Sequence, residues 1–182
     1  MKSVSIIGSG RSSVFLIEYL FQYCQQNSLP FAVYDKDFSF ILKALPSSMH
    51  HCLKSLDIND ADSLNQLVES SQLVVSMLPA FMHPAVAELC LKHNVHLATA
   101  SYISDALLAM KPDVESAGLI FMNEVGLDPG IDHMSAMKIM DELRDKGAII
   151  KGFKSNCGGL VADEDDGDNP WKYKFSWNPR NV

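Results

Sequence analysis

The stretch NEVGLDPGIDHM, Asn123 to Met134, gathers three acids, a histidine, two glycines and a proline within twelve positions. Carboxylates and an imidazole this close could ligate a metal, cradle calcium, move protons in a catalytic loop, or simply open a helix. A different chemistry is offered by GSGRSS, Gly8 to Ser13. There Gly8 suits a tight turn, Gly10 lets backbone approach an anion, and the amides that follow suit a diphosphate at a helix start. The third position of the dinucleotide fingerprint is Ser13, small but not glycine. Asp35 lies further on, where a carboxylate can accept hydrogen bonds from the ribose hydroxyls of an adenosine and repel a 2′-phosphate. That residue favours NAD over NADP, with Lys36 beside it as a counterweight.

The metal reading is the weaker one. Asp132 and His133 are adjacent on an expected helix and should point apart, while His93 with His96 and the pair His50–His51 lack partners at ligand spacing. The acidic run Asp163–Asp168 has neither the ligand spacing nor the distal glutamate of an EF-hand loop, and reads as solvated. Asp128 followed by Pro129 is a helix-start signal, N-cap then first helical residue. Met77 and Met82 have core filling as their ordinary role.

The elements that must position these residues alternate. Strands are expected at 4–8, 31–34, 52–56, 73–76, 95–98 and 119–122. Helices are expected at 13–26, 38–45, 60–70, 83–93 and 104–117, the last interrupted near Pro112. The first helix would use Phe15, Leu16, Leu20 and Tyr23 as its apolar positions. Asp60 is an N-cap candidate, and Pro84 fits the start of its helix. The alternation implies an α/β fold, a Rossmann-type doubly wound parallel sheet over residues 1–127. The beginning of a second α/β substrate domain over 128–182 would follow, with a helix at 128–146 and a strand at 148–156. The apolar face Ile131, Met134, Met137, Met140 and Leu143 reads as core against a sheet. Ligand loops belong at strand carboxyl ends, which is where SMLPAFMHP, TASYIS, NEVGLDPGID and the segment after Asn156 fall.

Composition bounds the rest. At 182 residues, 47% apolar and 20% charged, the chain has the profile of a soluble globular protein. A net charge of -7 without a basic cluster argues against nucleic acid. The most apolar stretch, 73–91, is too interrupted to span a membrane. Four scattered cysteines and no visible signal peptide point to reduced thiols and a cytoplasmic setting.

The succession SYIS, GLDPGIDHM, CGGL and DNPWKYKFSW, with the glycine turn and Ser76–Pro84 before it, resembles the glutamate-forming saccharopine dehydrogenase family along essentially the whole chain. The resemblance implies NAD(P)-linked interconversion of saccharopine with glutamate and α-aminoadipate semialdehyde in lysine metabolism. It further implies small-molecule substrates and a possible homodimer. By the same resemblance Gly8, Ser9, Gly10, Arg11 and Ser12 form the pyrophosphate loop. Asp35 takes the adenosine ribose, and Asp57 with Ile58 the adenine side. Ser76, Met77 and Leu78 line the nicotinamide side, with Ser101, Leu127, Pro129 and Trp177 also at the cofactor. Ser101, Tyr102, Asp128, Cys157 and Gly158 fall at the substrate, and Asp128 and Tyr102 are the candidates for proton transfer. Arg11-Ser12 replaces the family's usual aromatic-valine pair, and the acidic run departs from its usual loop. Family members are more than twice as long, so the chain reads as an N-terminal piece. Rival readings are a related carbon–nitrogen reductase, such as a carboxynorspermidine dehydrogenase, and a dinucleotide-binding module without catalysis.

Overall fold

The protein was analysed as a computed structural model that describes residues 2–156 and 170–171. Six strands form one parallel sheet: β1 (Ser3–Ile7), β2 (Phe31–Asp35), β3 (Leu53–Ser55), β4 (Ser71–Ser76), β5 (His96–Thr99) and β6 (Phe121–Met122). Their spatial order is β3-β2-β1-β4-β5-β6, the doubly wound arrangement expected. The central strand, β1, pairs with β2 at Ile6↔Val33 and with β4 at Ile6↔Val75. Ile6, Val33 and Val74 are fully buried, as a parallel sheet covered on both faces requires.

The helices are α1 (Val14–Gln26), α2 (Ile41–Ala44), α3 (Ala61–Glu69), α4 (His83–His93), α5 (Asp105–Ala109), α6 (Lys111–Ser116) and α7 (Ile131–Asp145). Asp60 caps α3 through the amides of Asp62 and Ser63, and the Ser63 hydroxyl on the other oxygen helps hold its carboxyl below the usual carboxylate range. Pro84 sits in the first turn of α4, where no amide is missed. A break before Pro112 divides α5 from α6, because proline cannot donate to the turn before it.

Two compact units result, Met1–Val125 and Gly126–Val182. In the first, one core cluster packs α3 and α4 on the sheet through Leu67, Val68, Val86, Ala87 and Cys90. A second, on the other face, is built from Ile6, Ile17, Val33, Ile41 and Val75. Burial pushes the Cys90 thiol up to about 12, so it behaves as a small apolar side chain rather than a nucleophile. Among the described residues no helix is long and apolar enough to cross a membrane.

Three expectations need correction. On α1, Leu16 and Leu20 pack on the core as expected, together with Val14, Ile17 and Phe21, and Cys24 is buried as well, whereas Phe15 and Tyr23 are 83% and 49% exposed. The helix carries two apolar stripes, and the branched and smaller side chains fit against the sheet. The segment 148–156 forms no strand; among the described residues of the second unit no neighbour is present to complete its ladder. The apolar face of α7 is not core: Ile131, Met134, Met137 and Leu143 are each more than two-fifths exposed, and α7 has no buried residue.

The orientation of α1 yields a test by denaturant unfolding. Ile17→Ala, which empties a fully buried position, should cost about 2–5 kcal/mol, while Phe15→Ala should change stability by less than about 0.5 kcal/mol. The reverse ranking would place the helix the other way round.

Candidate functional site

The site begins where β1 ends. Gly8 has φ +102°, and a Cβ there would stand 3.0 Å from the carbonyl carbon and oxygen of Met77, so both conformation and space require glycine. Its amide donates to the Tyr34 carbonyl at 2.8 Å, and the Met77 amide donates to the Ile7 carbonyl at 2.8 Å. The carboxyl ends of β2, β1 and β4 are thereby held together. Gly10 differs: its φ is -70° and ψ -177°, open to any residue, and an added Cβ would meet nothing within 4 Å. Among the described residues nothing needs glycine there, which is what a ligand approaching the backbone from outside would require.

A cavity of about 380 Å³ opens over this point. Tyr34, Asp35, Lys36, Leu56, Ile58 and Asn59 line one end, Gly8, Ser9 and Gly10 the middle, and Met77, Leu78, Pro79 and Met82 the other end. It therefore straddles the point between β1 and β4 where the connections reverse direction, the place where open α/β sheets bind ligands. A tight turn at Arg11–Ser13 leads into α1, with the Ser13 amide donating to the Gly10 carbonyl at 3.1 Å. The amides before Ser13 precede that first bond, and the helix dipole adds partial positive charge for an anion. The Arg11 guanidinium lies 5.9 Å from the centre of the Phe40 ring.

Asp35 does more than face the cavity. Its Oδ2 accepts from the Ser9 amide at 2.6 Å and the Ser9 hydroxyl at 2.9 Å. Its Oδ1 accepts from the Lys36 amide at 2.7 Å and the Asp37 amide at 3.2 Å. Ser9 is thus turned inward, 3% exposed, and its amide ties the glycine turn to β2. Of the rest of the expected pyrophosphate loop, Gly10 lines the cavity, and Arg11 and Ser12 are exposed beside it but outside its lining. Asp57 stands outside the cavity lining and closes a local turn, accepting from the Asn59 amide and side chain at 2.9 Å each.

On the far side, Ser76 also faces away from the cavity. Its hydroxyl is 2.9 Å from His83 Nδ1, and His83 Nε2 is 2.9 Å from the Ser101 hydroxyl. Ser76 and His83 are each 1% exposed, and burial alone pushes the imidazole below its ordinary value, so the ring is neutral near neutral pH. Sequence reasoning missed His83. The signal available was a histidine opening a helix seven residues after a strand-end serine, which is too common to single out. The loop after β5 is fixed further by the Ile103 amide on Glu124 Oε1 at 3.0 Å and the Glu124 amide on the Ser101 carbonyl at 3.1 Å. Tyr102 projects from it, 38% exposed.

The second unit opens with the loop that holds Leu127, Asp128 and Pro129. Asp128 is not the N-cap of α7, nor Pro129 its first residue. The helix begins at Ile131, Gly130 has φ +146°, and the Asp132 carboxylate accepts from the Gly130 amide at 2.8 Å. The reason is a loop closed on itself: the Gly126 amide donates to the Pro129 carbonyl and the Ile131 amide to the Gly126 carbonyl, each at 2.9 Å. A side chain at Gly130 would collide with Gly126. The Asp128–Pro129 peptide bond is cis. Asp132 and His133 do not diverge either, since Nδ1 of His133 lies 2.9 Å from Oδ1 of Asp132 as the acid folds back to its capping position. Among the described residues no set of three histidine, cysteine or acidic side chains could hold a metal. Leu127 and Asp128 are exposed, and Pro129 is buried. Cys157, Gly158 and Trp177 lie outside the described residues.

Comparison with known proteins decides the family. The saccharopine dehydrogenase NADP binding domain matches residues 4–122, and the saccharopine dehydrogenase C-terminal domain matches residues 126–182. The chain belongs to the saccharopine dehydrogenase family. The α-aminoadipic semialdehyde synthase of Rattus norvegicus mitochondria is 39% identical over 189 residues, covering 100% of this chain and 19% of that protein. The NADP(+), L-glutamate-forming saccharopine dehydrogenase of Schizosaccharomyces pombe is 37% identical over 183 residues, covering 100% of this chain and 40% of that one. The solved apo structure of the L-Glu-forming enzyme from Saccharomyces cerevisiae superposes with a TM-score of 0.76 at 35% identity, over 99% of this chain and 39% of that chain. The chain thus spans two-fifths or less of the length of these relatives. The family's first domain is one that binds a nicotinamide dinucleotide, and the glycine turn, cavity and helix-start amides of this chain fit one.

Two predictions follow from the geometry. Gly10→Ala should leave the melting temperature within about a degree of the parent, yet weaken dinucleotide binding at least about tenfold, whereas Gly8→Ala should lower the melting temperature outright. Thermal shift with and without NADH or NADPH reads both, and a Gly10→Ala loss confined to stability would remove the ligand argument. The second concerns pH. The unfolded chain protonates His83 below about pH 6.5 while the folded chain resists, so folding loses stability as pH falls through that value, by up to about 1.4 kcal/mol per pH unit. In His83→Phe this part of the slope should vanish between about pH 5 and 6.5, measured by denaturant unfolding against the parent.

Proposed function

We propose that this chain is the cofactor-binding part of an enzyme that interconverts saccharopine with glutamate and α-aminoadipate semialdehyde, using a nicotinamide dinucleotide. The observation that carries the reading is the pair of family domains matched in order along the chain, together with a cavity at the sheet's switch point whose central glycine is crowded by no described residue. A bound nicotinamide would supply the hydride acceptor for oxidation of a carbon beside the secondary amine of saccharopine, the step that lets water release glutamate and the semialdehyde. The work of this chain is to bind and orient the dinucleotide. The amides at the start of α1, from Gly10 through Arg11 and Ser12, would hold the diphosphate, Ile58 would pack on the adenine side, and Met77 and Leu78 would form the apolar wall at the other end.

Proton transfer to and from nitrogen and water falls to Asp128, whose residue is exposed, and to Tyr102, which is part-exposed, because a carboxylate and a phenol are the groups here able to take and return a proton. Replacing Asp128 by Asn should lower kcat by about a hundredfold or more and remove one limb of the pH–rate profile. An unchanged profile would reassign the role.

Cofactor choice follows from the wall at the end of β2. The family domain is described as NADP binding and the Schizosaccharomyces relative is named for NADP(+). In this chain Asp35 places an anion where a 2′-phosphate would come, offset in part by Lys36 on the same wall. We therefore expect NADH to bind more tightly than NADPH by about tenfold rather than a thousandfold, and Asp35→Ser to narrow the gap. Titration of both nucleotides, followed by saccharopine-dependent reduction of NAD and NADP, tests the whole reading. Tighter NADPH binding would overturn the preference, and no nucleotide binding at all would overturn the function.

A further inference from the structure

The hydrogen-bonded line Ser76–His83–Ser101 crosses from the carboxyl end of β4 to the loop after β5, two strands that are neighbours in the sheet. It has a buried end and an open end: Ser76 is 1% exposed and Ser101 is half-buried. Among the described residues, neither serine hydroxyl has any other hydrogen-bond partner, and nor does the ring. A neutral imidazole has one nitrogen that donates and one that accepts. The Ser76 hydroxyl, shut away from water, has a hydrogen to place, and the acceptor available to it is Nδ1. If Nδ1 carried the proton instead, that buried hydroxyl hydrogen would have no acceptor and would suffer the full desolvation penalty. So Ser76 donates to Nδ1, Nε2 carries the ring proton, and Nε2–H donates to the Ser101 oxygen. The hydrogen of Ser101 is then left over, at the open end of the line.

We propose that His83 is a positioning residue that orients the Ser101 hydroxyl to donate its hydrogen to an acceptor oxygen of the bound ligands. This rests on the proposed function, which places Ser101 against cofactor and substrate. The shared chemistry is a carbonyl or carboxylate oxygen, as in the carboxamide of a nicotinamide or a carboxylate of saccharopine. Ser76, placed by resemblance on the nicotinamide wall, acts instead as the buried anchor that selects the tautomer.

The tautomer is tested first, on the unliganded protein with 15N-labelled histidine. The expected spectrum for His83 has a pyrrole-like Nε2 and a pyridine-like Nδ1; the opposite assignment overturns the proposal whatever the enzyme does. Function is tested with Ser101→Ala, His83→Phe, which keeps ring volume but neither bond, and His83→Gln, whose amide can still donate towards Ser101. Kd for NADH and KM for saccharopine are measured for each. A rise of about tenfold in Kd in Ser101→Ala puts the acceptor on the dinucleotide, and a rise in KM alone puts it on the substrate. In either case His83→Phe should match Ser101→Ala, His83→Gln should recover most of the loss, and the double variant Ser101→Ala with His83→Phe should be no worse than Ser101→Ala alone. Additive losses would show that His83 does not act through Ser101. Should His83→Phe fail to fold, the tautomer and the Gln variant still decide. Failure of the parent to bind either nucleotide would count against the functional reading, and the 15N assignment would stand apart from it.

Discussion

The approach of β1 to β4 at Gly8 is the contact on which the rest of the first unit depends. Ile7 and Gly8 hand their backbone groups to Met77 and Tyr34 on opposite sides, so the last peptide of the central strand is held by both neighbours. With the Met77 carbonyl 3.0 Å from the position of a Cβ, any side chain would push β4 outward. The chain beyond Met77 carries Leu78, Met82 and His83, so such a wedge would be transmitted to the whole far wall of the cavity. Connections leave β1 and β4 towards opposite faces of the sheet, and the cavity is the gap that this divergence opens.

Around that gap the loops are held by side chains rather than by regular structure. Asp35 collects four donors and so binds the glycine turn to the end of β2. A carboxylate has about four lone-pair sites, and this one has a donor for each. Any bond to a ribose must therefore share or displace one of them, and the Ser9 hydroxyl is the one able to rotate. Across the gap His83 fixes β4 to the loop after β5, and Glu124 fixes that loop to the segment after β6. Connecting segments are ordinarily the mobile part of a fold, and pinning them costs entropy only once, at folding, instead of at each binding event.

What was legible in the sequence follows from which physical signals are local. The parallel, doubly wound sheet followed from the alternation of strands and helices, α4 from Pro84 and its apolar spacing, and the α3 cap from an aspartate before a polar helix start; each signal lies in the local pattern. The glycine turn and the wall at Met77 and Leu78 were legible for the same reason, and the specific motifs of the second half identified the family. The failures are choices that the local apolar and capping pattern does not decide by itself. Both stripes of α1 are apolar, and the sheet, not the helix, selects Ile17 over Phe15. Asp-Pro is a valid helix start in isolation, but the bonds between Gly126, Pro129 and Ile131 move the start to Ile131 and give the cap to Asp132. His83 owes its place to two serines that are seven and eighteen residues away.

The charge of the chain sharpens what the glycine turn must do. At a net charge of -7 the protein's field opposes a diphosphate, and the cavity lining includes one lysine, Lys36, next in the chain to the aspartate Asp35. The Arg11 guanidinium is engaged with the Phe40 ring. Attraction for the anion therefore has to come from oriented amide dipoles, which carry no net charge, are fixed before the ligand arrives and are weakly screened by salt at contact distance. Dipoles lose strength steeply with distance, so backbone must come within hydrogen-bond reach of the phosphate oxygens. That is the demand that suits a Gly10 without a side chain, although no described residue crowds it. The two glycines of the turn thus share a letter and not a reason: Gly8 is imposed by the fold, and Gly10 by the charge of what the fold is read to bind.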